Sequence, residues 1–147
     1  MSFDHDQRYR EEAEARERLT RRHGGDRYQQ LNQYGGPYIS ATSLECVGYV
    51  MDALRYGEDP NTAFQPASDQ DLDDALTLLP RAREELDGNE LELTDRARLR
   101  GRTWDRIGQI TGCGDRRAAE QRYRRLRERT PGYAPPVKDE TTKEGQA

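Results

Sequence analysis

Two cysteines, two histidines and two lysines among 147 residues leave little material for several kinds of chemistry. Cys46 and Cys113 stand 67 positions apart with no second pair, so a disulfide framework is not expected and reduced, buried thiols are. His5 and His23 lie in a charged leader far from either cysteine, and no metal site or cofactor is expected. No run of 18 apolar residues exists, which excludes a membrane-spanning helix. The opening Met1-Ser2-Phe3-Asp4-His5-Asp6 lacks the apolar core of a secretion signal, so a cytoplasmic, nucleoid-associated protein is the expectation. Ser-His-Asp and Cys-His arrangements, phosphate-cradling glycine loops and metal-ligand spacings are also missing, which argues against an enzyme. With 32% hydrophobic and 35% charged residues, only part of the chain is expected to build a core.

What is abundant is arginine, and it is unevenly placed. Residues 95 to 129 hold 12 Arg against 5 Asp or Glu, a balance of +7, in a chain whose net charge is -4. A basic block on an acidic chain is the electrostatic footprint of a polyanion-binding surface, or a solvated face balanced by its own acids.

The chain reads as all-α: a small helical domain with a disordered N-terminal arm and C-terminal tail. Residues 5 to 22, "HDQRYREEAEARERLTRR", alternate acids and bases with hardly an apolar stripe, and residues 24 to 38 are rich in Gly, Gln, Asn and Tyr. Residues 1 to 38 are therefore expected to be a largely disordered arm and linker. Residues 39 to 80 read as a helical pair and a candidate dimerisation region. Thr42 and Glu45 have capping-box spacing, and Leu44, Val47, Met51 and Leu54 recur on one helical face until Gly57. That face is expected to be core or the seam of a homodimer. Ser68 precedes an acidic first turn, and Leu72, Ala75, Leu76 and Leu79 are the expected buried stripe of the next helix. Pro80 should kink that helix or start another, with Ala82, Leu86, Leu93 and Ala97 continuing the period to Gly101 past the weak spot at Gly88. Residues 130 to 147, with two adjacent prolines and no periodicity, read as a disordered tail.

Residues 81 to 129 carry the functional signal. Thr103 can cap "TWDRIGQIT", whose Trp104, Ile107 and Ile110 mark one buried face; Gly112, Cys113 and Gly114 break it; Asp115 can cap a second helix to about Arg129. On a wheel of about 100° per residue, Ala119, Tyr123 and Leu126 fall on one side of that helix and Arg117, Gln121 and Arg124 on the other. Arginine and glutamine make bidentate contacts with guanine and adenine edges, while flanking arginines suit phosphates.

This segment, "RLRGRTWDRIGQITGCGDRRAAEQRYRRL", resembles the three-helix core of bacterial helix-turn-helix DNA-binding proteins, in particular the last domain of sigma factors and small actinobacterial regulators. The resemblance implies that Trp104 and Ile107 are core, Gly108 the point of helix approach, Gly112 the turn glycine and Asp115 to Arg129 the recognition helix. Two departures stand out: the turn "GCGD" is one residue longer than the common pattern, and Arg122 stands where an apolar residue is usual, with Tyr123 available for its packing role. The segment is also similar to a Myb-type repeat, though the tryptophan-rich, acidic first helix of that family is missing. The resemblance implies a sequence-specific duplex-DNA-binding regulator of transcription. Arg116, Arg117, Gln121 and Arg124 would contact bases, and Arg98, Arg102, Arg106, Arg122, Arg125, Arg127 and Arg129 phosphates. A homodimer would extend the short site that one helix reads. The alternative is an interaction protein of the transcription or chromosome machinery, its basic helix meeting an acidic partner and Asp69 to Asp74 a basic one.

Overall fold

In a computed structural model the described residues, 2 to 138, form six helices and no strand. They are α1 (Ser2–His23), α2 (Asp26–Asn32), α3 (Ser43–Tyr56), α4 (Asp69–Leu99), α5 (Trp104–Thr111) and α6 (Arg116–Arg129). The chain divides into two compact units, residues 1–85 and 86–147, so the division falls inside α4 rather than at Pro80. Pro80 neither ends α4 nor starts another helix.

In the first unit, Ala15 and Leu19 of α1, Ala41 of the segment before α3, Cys46 and Val50 of α3 and Leu78 of α4 form a buried cluster. Residues 1 to 38, read as largely disordered, instead carry α1 and α2. Sequence reading missed this because the core face of α1 holds only two small or medium apolar residues; the rest of the attachment is ionic. Glu12, 2% exposed, accepts from Arg81 at 3.1 Å. Arg18 donates twice to Asp74, at 3.0 and 2.8 Å. Asp71 receives Arg22 at 3.1 Å, the His23 ring at 2.9 Å and the Ser68 amide at 2.9 Å. His23, expected outside the folded region, is thus built into it, its side chain 5% exposed.

Those ion pairs also set the rotation of α4. Its buried face is Asp71, Asp74, Leu78 and Ala82, and the expected stripe is displaced: Leu72 and Leu76 are exposed while Ala75 and Leu79 are half-buried. α3 shows the same displacement. Its buried residues are Ser43, Cys46, Val50 and Ala53, leaving Leu44 and Val47 half-buried and Met51 and Leu54 exposed. The caps are as the spacing predicts: Thr42 accepts from the Glu45 amide at 3.1 Å, and Ser68 from the Asp71 amide at 3.1 Å. Glu85 adds an anionic cap to α3, accepting from the amides of Ser43 at 3.2 Å and Leu44 at 2.9 Å. Burial pushes the Cys46 thiol up to about 11, so this cysteine stays protonated and inert.

In the second unit, Leu91 of α4, Ile107 of α5 and Ala119 and Leu126 of α6 are the buried apolar residues. Leu86, Leu93 and Ile110, counted into apolar stripes from sequence, are exposed; Leu91, five positions after Leu86 and two before Leu93 and so on a different face, takes the core position. Of the expected tail, residues 130 to 138 contain no helix and Tyr133 is half-buried, while 139 to 147 lie outside the described residues.

Candidate nucleic-acid interface

The second unit is built around a close approach between α5 and the start of α6. A Cβ placed on Gly108 would lie 2.7 Å from the Gly114 carbonyl oxygen and 2.8 Å from that of Asp115, so only glycine lets the helices meet there. Gly112 ends α5 in the left-handed region at φ 75°, again a glycine position. Thr103 caps α5 by accepting from the Arg106 amide at 3.1 Å, and Asp115 caps α6 by accepting from Ala118 at 2.9 Å. Asp105 of α5 accepts the Arg116 amide at 3.1 Å, a second carboxylate at the positive end of α6.

On this frame α6 turns Ala119 and Leu126 inward, with Tyr123 half-buried, edge-on to Trp104 at 5.5 Å between ring centroids. The Tyr123 hydroxyl donates to Asp95 of α4 at 2.7 Å, and Tyr133 donates to the other oxygen of the same carboxylate. Burial first, and then the anionic acceptor, raises both phenols above their usual range. Sequence reading missed Asp95 and Tyr133, because nothing in their local spacing signals a contact 38 residues apart.

The opposite side of α6 presents Arg117 and Arg124 exposed and Gln121 half-buried between them. Neither arginine has a carboxylate partner within 4.0 Å among the described residues; the pairs Glu120–Arg124 and Arg124–Glu128, open to it by spacing, do not form. Arg116, also exposed, pairs with Glu120 at 3.1 Å.

The seven arginines assigned to phosphates fall into different situations. Arg102, Arg106 and Arg125 are exposed without a carboxylate partner among the described residues. Arg98 lies 5.2 Å from the centroid of Trp104 and donates to the Arg102 carbonyl at 2.8 Å. Arg127 is half-buried against Tyr123 and Tyr133, at 5.9 and 5.5 Å from their ring centroids. Arg129 pairs with Asp87 at 3.5 Å. Arg122 is held by both oxygens of Glu90, two bonds of 2.8 Å, and that hydrogen-bonded partner raises its pKa further. Its departure from an apolar residue is thereby accounted for: a bidentate ion pair to α4 occupies the place of a packing contact. Arg122 and Arg129 thus each have a carboxylate partner on α4, Glu90 and Asp87, through which they brace α6.

No group of three metal-ligating side chains occurs among the described residues, and no described helix is long and apolar enough to cross a membrane. Comparison with protein-family models, with curated proteins and with solved structures yields no match.

Proposed function

We propose that the second unit binds duplex DNA in the manner of a helix-turn-helix protein, and that the chain is a regulator of transcription rather than an enzyme. α6 enters the major groove, Arg117, Gln121 and Arg124 read base edges from its outward side, and Arg116 reaches bases from its first turn. Arg98, Arg102, Arg106 and Arg125 meet phosphates on either side. The observation that supports this reading is the division of α6. One side is fixed by Ala119, Leu126 and the Tyr123–Asp95 bond, and the other offers arginines without carboxylate partners among the described residues. An arginine serving only solubility has no need of so rigid a mount, whereas base reading demands one.

Selection of bound duplexes from a random-sequence pool, followed by affinity measurement at several salt concentrations, tests it. A defined sequence should be enriched. Arg117→Ala should then cost about 1–3 kcal/mol on that sequence while sparing binding to unrelated DNA, and Arg106→Ala should weaken both alike. Failure of the intact chain to bind any duplex at low salt overturns the proposal.

A further inference from the structure

The two displaced apolar rows of the first unit belong to one surface. α3 and α4 run antiparallel, since Glu85 caps the start of α3 while Val50, two turns on, shares the core with Leu78. Each helix shows a consistent order around its circumference at about 100° per residue. On α3 the side toward α1 carries Cys46, whose sulfur meets Thr20 and the Arg16 carbonyl; then comes the side toward α4, and beyond it the row Leu44, Val47, Met51, Leu54. On α4 the side toward α1 carries Arg81, Asp74 and Asp71 with Leu78 among them; then comes Ala82, and beyond it Leu72, Leu76 and Leu79. For antiparallel helices these two progressions turn the rows to the same side of the pair, away from α1. Met51, Leu54, Leu72 and Leu76 are 40%, 49%, 37% and 67% exposed there. A face of this kind, two antiparallel helices with adjoining leucine rows, is half of a four-helix bundle.

Its rim is charged in a self-complementary way. Arg55 follows the apolar row at the end of α3, and Asp69 and Asp73 flank the row at the start of α4, all exposed and without charged partners among the described residues. Because the helices are antiparallel, both signs stand at the same end. We propose that this face binds a second copy of the chain about a two-fold axis running along the helices. α3 of one copy then lies against α4 of the other, Met51 and Leu54 meet Leu72 and Leu76 of the second copy, and Arg55 meets its Asp69 and Asp73. The inference rests on the first unit alone and does not depend on DNA binding.

Sedimentation equilibrium of the full chain should give twice the 17.0 kDa chain mass. Leu76→Glu, at an exposed position that leaves helical content unchanged, should weaken association at least about 100-fold, because the lost apolar contact occurs twice per dimer. Arg55→Asp and Asp73→Arg should each weaken association, and mixing the two variants, or combining both changes in one chain, should restore it. A single-chain mass up to about 100 µM, dimers indifferent to Leu76→Glu, or charge reversals that fail to compensate would each overturn the proposal. The first of these outcomes would leave the face to a helix of a different protein.

Discussion

At the scale of single residues, two glycines that look alike in sequence do opposite things. Gly88 lies within α4, where a Cβ would meet nothing within 4 Å, and Gly108 lies within α5, where a Cβ would meet two backbone carbonyls under 3.0 Å away. Alanine at either site gains up to about 1 kcal/mol of helix propensity. At Gly88 that gain should appear undiminished as higher stability. At Gly108 the backbone of residues 114 and 115 must retreat, and overpacking of this kind costs about 1–3 kcal/mol. Gly108→Ala should therefore lower the midpoint of denaturant unfolding followed by the fluorescence of Trp104, the chain's one tryptophan, whereas Gly88→Ala raises it. A Gly108→Ala protein as stable as the parent would mean that α5 and α6 do not approach as described.

At the scale of elements, the attachment of α1 is governed by carboxylates. Burial alone would favour the protonated form of Asp71, but the Ser68 amide, the His23 ring and the Arg22 guanidinium outweigh it and hold its pKa below the ordinary value of 3.8. Glu45, hydrogen-bonded by Arg27, is likewise held low. A carboxylate whose pKa is lower folded than unfolded contributes stability that is complete above the unfolded value and is lost as pH falls through the folded one. The first unit should thus melt at a constant temperature from neutrality down to about pH 5 and at progressively lower temperatures below about pH 4. Asp71→Asn should melt lower at neutral pH and lose much of that acid sensitivity; an unchanged acid profile would move the effect to other groups. The same chemistry explains how far the elements could be read from sequence. α3, α5 and α6 were legible because Thr42, Thr103 and Asp115 announce their starts, and local hydrogen bonds to Glu45, Arg106 and Ala118 make good on that announcement. α1 and the rotation of α4 were not, because an alternation of Glu and Arg looks solvated until the partners Asp74 and Arg81, more than fifty positions away, are brought alongside. On α6 the inward face was legible from the spacing of Ala119, Tyr123 and Leu126, yet the bracing of Arg122 by Glu90 was not, since apolar periodicity carries no information about which charges will be paired.

At the scale of the whole molecule, the +7 balance of residues 95 to 129 overstates the charge available to a polyanion. Arg122 and Arg129 are matched by Glu90 and Asp87, and Arg127 is committed to two tyrosine rings. The proposed interface thus counts only Arg98, Arg102, Arg106 and Arg125, all exposed and without carboxylate partners among the described residues, on the phosphates. Each phosphate neutralised releases condensed counterions, and the logarithm of the binding constant falls with the logarithm of salt concentration by about 0.9 per contact on duplex DNA. Seven contacts would give a slope near about -6 per chain, and four give about -4. The proposed interface therefore predicts the shallower value per chain, doubled if two chains bind one site. It also predicts an asymmetry between substitutions. Arg125→Ala should reduce the slope by about 1 with little change in unfolding midpoint. Arg122→Gln should leave the slope alone and lower the midpoint, because the charge it removes holds α6 to Glu90. A slope reduced equally by both substitutions would place Arg122 on the phosphates after all, and would mean that its bond to Glu90 opens when DNA binds.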